Sequence, residues 1–133
     1  MGLSRLASPP VSNARRLALA FVFLWFAIGG ICHFLLTPFF VQIVPPFVPA
    51  PIAAVIISGV FELLGAAGIA IRRTRSMAGI GLALLTIAVT PANIFMLQHA
   101  ELFPSIPVWL LVARLPLQLA LIACIVWSTQ RSH

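Results

Sequence analysis

LALAFVFLWFAIGGICHFLL, Leu17 to Leu36, runs for twenty residues without a charge. A hydrocarbon core of ~30 Å takes about twenty residues of helix at 1.5 Å rise per residue, so the stretch reads as a helix that crosses a bilayer. A secretory signal is the rival reading, because Arg15 and Arg16 precede the run. The apolar region of a signal is roughly 7 to 15 residues and ends at a small-residue cleavage site, which this run outlasts. Gly29-Gly30-Ile31-Cys32 has the outline of a lipoprotein site, but Ile31 stands where a small residue belongs.

Three more runs follow. Thr37 to Pro51 holds Pro38, Pro45, Pro46, Pro49 and Pro51, which exclude a continuous helix because proline has no N–H to donate. The segment is apolar all the same, with Phe39, Phe40, Ile43, Val44 and Phe47, so it is expected to fold back over the helix ends as a lid or re-entrant segment. Pro51 suits the first turn of a second helix, Ile52 to Ile71. Arg72, Arg73 and Arg75 form a basic turn into a third helix, 77–97, with a kink expected at Pro91. A loop with His99, Glu101, Pro104 and Pro107 leads to the fourth, 108–127, which carries Pro116. Residues 1–14 and 129–133 read as tails flanking a 15–128 transmembrane domain, and the fold class is an all-α integral membrane four-helix bundle.

Composition agrees. Of 133 residues 62% are hydrophobic and 8% charged, with a mean hydropathy of +1.14, whereas soluble chains carry about 25% charged residues. Lipid is therefore the main partner. The net charge of +6 and pI near 11.8 come from eight arginines and no lysine. All but Arg114 fall in short segments between the apolar runs, a pattern that signals topology, so no nucleic-acid partner is expected. Arg5, Arg15, Arg16, Arg72, Arg73, Arg75 and Arg131 share one side, and the other two loops have no Lys or Arg. By the positive-inside rule both termini are cytoplasmic and the Pro-rich loop faces outward in a multi-pass, bacterial-type inner membrane protein.

Glu62 and Arg114 are the only charged residues within the apolar spans. By helical rise Glu62 lies about 16 Å below Pro51 and Arg114 about 10 Å below the start of the fourth helix. An isolated charge at the bilayer centre costs ~2.5 to 3.5 kcal/mol or more. The two are accordingly expected to pair, the arginine keeping the carboxylate ionised, and to carry any catalysis. Gln118 shares a face with Arg114, Ser58 shares one with Glu62, and Asn93 and His33 come from the outer halves of their helices, which outlines an outward-opening polar pocket. A purely structural role is the competing reading, since Gly59, Gly65 and Gly68 suit close helix contact in any small bundle. They form no strict G-x-x-x-G, so the signal for a homo-oligomer is weak.

His99, just beyond the third helix, is expected at the same mouth as His33. With Cys32 and Met96 these are soft ligands for Cu(I) or haem. No spacing among them is diagnostic, and interfacial histidines also serve as amphipathic anchors, so neither metal nor haem is expected. Cys32 and Cys124 lie about 20 Å apart in depth by helical rise, too far for a disulfide. The chain has no Gly-rich phosphate loop, no H-E-x-x-H and no aspartate, which excludes soluble-type hydrolysis and nucleotide chemistry.

The run His33-Phe34, Pro38-Phe39-Phe40, Ile43 to Pro49, then Ser58-Gly59-Val60-Phe61-Glu62 with Gly65, resembles the DoxX-like membrane proteins. Arg72-Arg73-Thr74-Arg75, Pro91-Ala92-Asn93-Ile94 with Met96 and His99, and Arg114-Leu115-Pro116-Leu117-Gln118 are similar to the later signatures of that group. The resemblance implies a four-helix membrane fold and a buried site made of Glu62, Asn93, Arg114 and Gln118 with His33 above it. Some relatives carry histidine where this chain has Phe95. The family's name comes from a quinol-oxidising, thiosulfate-linked respiratory system. The expectation that follows is a redox-associated subunit that binds a quinone, or a comparable small molecule, beneath the Pro-rich lid. Arg114, Asn93 and Gln118 would donate to a carbonyl, Glu62 would relay a proton, and a redox partner protein would supply electrons. The alternative is a non-catalytic assembly or small-solute transport component whose polar core is structural.

Overall fold

The computed structural model describes residues 12–130. Helix α1 spans Asn13–Leu35, a short α2 Thr37–Gln42, α3 Pro51–Ala70, α4 Arg75–Ala88, α5 Thr90–Gln98 and α6 Val108–Thr129, with a 3-10 turn at Ala100–Leu102. Four stretches are long and apolar enough to cross a membrane, Asn13–Leu35, Pro51–Ala70, Arg75–Gln98 and Val108–Thr129. The protein is a four-helix membrane bundle. Leu35, Leu64, Met77 and Leu119 are among many large apolar side chains on its outer surface. A surface so continuously apolar is stable only against lipid.

Local chemistry moves several boundaries. The Ser12 side chain accepts from the Arg15 backbone N–H at 3.1 Å and caps α1, so Asn13 and Ala14, read above as tail, form its first turn. Residues 1–11, with Arg5, and 131–133, with Arg131, lie outside the described residues. The Pro-rich segment is not wholly irregular, because Pro38 occupies the first turn of α2, where a missing N–H does no harm. Ala50, just before Pro51, adopts φ 51°, a left-handed conformation that costs an alanine roughly 1 kcal/mol. The third span is interrupted at Val89, two residues before Pro91, which cannot donate to the Ile87 carbonyl. By contrast α6 runs unbroken through Pro116.

The helices form a closed square in which α1 packs on α3 and α6, and α4 packs on the same two. Lipid tails are as apolar as leucine, so close packing and polar ties must hold such a bundle together. The α1–α3 crossing depends on two glycines. A Cβ on Gly30 would fall 2.7 Å from Leu63 Cγ and 3.0 Å from the Gly59 carbonyl, and one on Gly59 would fall 2.8 Å from His33 Cβ. Gly65 and Gly68 are closed in the same way by Leu82 and Ala78 of α4. The small residues of α3 therefore serve contacts within the chain, and leave no glycine face to argue for an oligomer.

At one end Arg15 donates to the Gln130 carbonyl, Ser76 Oγ to Gln130 Oε1 at 2.8 Å, and Arg75 Nε to the Ile69 carbonyl at 2.8 Å. The two arginine bonds satisfy backbone carbonyls that helix ends leave orphaned, and the serine bond ties α4 to the Gln130 side chain. Arg15, Arg16, Arg72, Arg73 and Arg75 all belong to the end where α1 begins and α6 finishes. Two apolar clusters stack along the bundle. The inner one, near the arginines, takes Val22 and Phe26 from α1, Ala66 and Ile69 from α3, Leu82 and Ala83 from α4, and Leu121 and Ile125 from α6. The outer one joins Ile43, Met96, Phe103 and Leu111 beneath Phe39 and Phe40 of α2.

Gly59→Ala is expected to lower stability by about 1 to 3 kcal/mol, because Cβ meets backbone-proximal atoms that cannot swing away. Gly81→Ala, with nothing within 4 Å of its new Cβ, is expected to be neutral or to gain about 0.5 kcal/mol from helix propensity. Unfolding of both variants in mixed micelles checks the contrast.

Candidate functional site

Between the two apolar clusters lies a cavity of about 730 Å³. Its polar lining comes from every span: His33 of α1, Ser58 and Glu62 of α3, Thr86 of α4, Asn93 of α5, and Arg114 and Gln118 of α6. Phe40, Ile43, Val44, Pro45, Phe47 and Val48 cover its outer side, so the Pro-rich segment folds back as a roof.

The expected Glu62–Arg114 ion pair is not formed. Glu62 Oε2 instead lies 3.5 Å from His33 Nε2, with both side chains largely buried. The substitution has a geometric reason. Gly29 and Gly30 bring α1 so close that a Cβ on Gly29 would sit 3.3 Å from Glu62 Oε2, and His33 is one turn further along the same face. Arg114 is held elsewhere, its Nη1 donating to the sulfur of the fully buried Met96 at 3.3 Å. Acid and guanidinium therefore face one cavity without touching.

The histidine is oriented. Its Nδ1 lies 3.0 Å from the Val55 carbonyl, which can only accept, so Nδ1 carries a proton and Nε2 is the free lone pair of the neutral ring. Phe40 packs against the ring with centroids 4.3 Å apart. A bare lone pair facing a carboxylate oxygen is repulsive. The close approach is favourable only when one proton lies on either member, as imidazolium with carboxylate or as imidazole with carboxylic acid. Glu62 Oε2 is buried and has no hydrogen-bond partner among the described residues, which leaves room for a further donor.

On the facing wall the amides are tied to each other. Asn93 Nδ2 donates to Gln118 Oε1, Gln118 Nε2 donates to Thr90 Oγ1, and Thr90 passes its hydroxyl to the Thr86 carbonyl at 3.3 Å. Both amides are buried, and each keeps a second N–H. This ladder spans the break at Val89 and clamps α5 to α6. Thr86 and Thr90 were not singled out from the sequence, although with Asn93 they follow the 4, 3 spacing of one helical face.

His99 does not join the site. It stacks on Phe95 with centroids 4.4 Å apart, and its Nδ1 faces the Phe95 carbonyl at 3.2 Å. Since Met96 serves Arg114, the soft-ligand set of the sequence is dispersed. Among the described residues no three His, Cys, Asp or Glu side chains gather closely enough for a metal ion. Cys32 and Cys124 are free thiols, and neither lines the cavity.

Fold and site together define a multi-pass membrane protein with an internal cavity whose mainly apolar walls carry a few polar groups. The chain belongs to the family described as a domain of unknown function (DUF8561), whose model matches residues 15–129. No curated protein and no solved structure matches it.

A double-mutant cycle of His33→Leu and Glu62→Gln checks the dyad. The expected coupling is about 1 to 3 kcal/mol, because removing the imidazole alone leaves the carboxyl unpartnered in the bundle interior. Additive effects in unfolding assays would mean that the two groups do not interact.

Proposed function

We propose that this protein is a redox-associated subunit that binds a quinone-like molecule in the cavity between its apolar clusters, and that it is related to the DoxX-like proteins through the motifs that line the cavity. The observation that carries the reading is the meeting of an uncompensated guanidinium, Arg114, with a proton-holding pair, His33 and Glu62, in one space of about 730 Å³. That volume lies within the usual ~300 to 1,000 Å³ of small-molecule sites, as does the mix of apolar walls with a few convergent polar groups.

Each residue has a task in this reading. The free N–H groups of Arg114 donate to a carbonyl oxygen of the ligand and hold the negative charge that develops there on reduction. The second amide N–H groups of Asn93 and Gln118 are further donors on the same wall, and Ser58 lies beside Glu62. A quinone, when bound, would take up electrons together with protons, and the Glu62–His33 pair would give one of those protons to its reduced oxygen and be reprotonated afterwards. Electrons arrive from a partner protein. The arginine-bearing end faces the cytoplasm of a bacterial-type inner membrane, which directs the roof of Pro45 to Val48 outward.

Trp25 lines the cavity, so its fluorescence should be quenched when a water-soluble short-chain benzoquinone is titrated into the purified protein. Arg114→Gln is expected to weaken binding by about 10- to 100-fold, the range for loss of a charged hydrogen bond. Glu62→Gln is expected to spare binding more than it spares membrane quinone reduction. No saturable quenching in the native protein would leave the assembly or transport reading in its place.

A further inference from the structure

Several side chains that line the cavity are also exposed: Phe47 in the roof at 76%, Ala88 and Pro91 beside the break between α4 and α5, and a group of four larger side chains between α1 and α6. Between the outer halves of α1 and α6 the cavity is bounded by Trp25, Ile28, Leu110 and Leu117, which line the interior and are also 40% to 58% exposed on the outer surface of the bundle. Side chains that face both an internal space and the outside mark the rim of an opening. By helical rise, Trp25 and Ile28 lie about 15 and 10 Å below Leu35, and Leu110 and Leu117 about 3 and 14 Å below Val108. Arg114, about 9 Å down, sits at the same level.

Packing accounts for the gap. The inner cluster joins α1 to α6 through Val22, Phe26, Leu121 and Ile125, whereas the outer cluster contains no residue of α1. The two helices are therefore cemented near the arginines and not in their outer halves. Above the gap, Ile43 and Phe40 are anchored against Met96, Phe103 and Leu111 and cover part of the outer side of the cavity. An opening with an apolar rim at bilayer depth communicates with hydrocarbon.

What waits inside includes a guanidinium and a few other polar groups on otherwise apolar walls. Arg114 contributes one positive charge and has only the Met96 sulfur as hydrogen-bond partner among the described residues. Glu62 and His33 face each other 3.5 Å apart in the same space. A molecule suited to both environments has a head of acceptor oxygens and an apolar chain.

We infer that the cavity is loaded sideways from the bilayer by an amphiphile whose head reaches Arg114 while its chain leaves between α1 and α6, past Trp25, Ile28, Leu110 and Leu117. This rests on the small-molecule reading above and adds the class of ligand and its route. The head alone would not need the opening; a chain-bearing ligand would.

The test uses the whole protein in lipid nanodiscs with two probes, a tailless dimethoxy-methyl-benzoquinone and its decyl homologue carrying a diazirine at the chain end. On illumination the homologue is expected to label Trp25, Ile28, Leu110 or Leu117. Ile28→Trp and Leu117→Trp, at the rim of the opening, are expected to weaken the chain-bearing probe about tenfold and the tailless one less than about twofold. Labels confined to the roof residues Pro45 to Val48, or to Ala88 and Pro91 on the opposite side, would overturn the route. So would equal effects of the two substitutions on both probes, while binding of the tailless probe would leave the small-molecule reading standing. Failure of the decyl probe alone to bind the native protein would remove the route, and failure of both probes would remove both readings.

Discussion

A carboxyl group inside a bundle bathed in hydrocarbon has to be met by something, and here the partner is decided by how closely two helices can approach. Gly30 of α1 and Gly59 of α3 leave no room for a Cβ between them, so the two backbones lie nearly in contact. His33 and Glu62 are brought together by that contact rather than by long side chains reaching across a gap. Arginine is longer and more strongly charged, yet it loses the competition because α6 stands on the far side of the cavity. Arg114 is satisfied instead by polarizable sulfur, a weaker partner that leaves much of its hydrogen-bonding capacity unused.

The placement of the cavity follows from the same economy of packing. Four helices that touched along their whole length would leave no interior space. Small residues draw α3 against α1 and α4, while the break at Val89 and the ladder from Asn93 through Gln118 to Thr90 bind α5 to α6. The outer halves thus separate into two pairs, α1 with α3 and α5 with α6, and the Pro-rich segment fills the top of the space between them. Polar groups that would be costly in lipid are thereby sheltered by protein on most sides, with an apolar layer below and another above.

Much of this was legible along the chain. Leu17 to Leu36 and the three later apolar runs are long enough to span a bilayer, and their lengths and spacing imply the four-helix bundle without reference to contacts. Helical rise brought Glu62, Arg114, Asn93, Gln118 and His33 to neighbouring depths, and all five line the cavity. Depth, however, is a single coordinate. Which residues touch at a given depth depends on the rotation of each helix about its axis and on the distance between axes, neither of which hydropathy encodes. The Glu62–Arg114 pair was expected from depth and opposite charge, and it gave way to His33 for that reason. His99 was close in depth too, but its ring turned onto Phe95.

The sequence by itself determined that the chain lives in a membrane, how many times it crosses, and which polar groups share a level, because hydrophobic length and charge spacing are properties of the linear text. Only the tertiary structure decided that the acid meets a histidine, that two threonines join the amide wall, and that the outer halves of α1 and α6 stand apart, because these depend on interhelical distances of a few ångströms. Those distances are governed by where a missing Cβ lets backbones close and where a missing proline N–H interrupts a helix, and such effects are realised only when the four helices pack together.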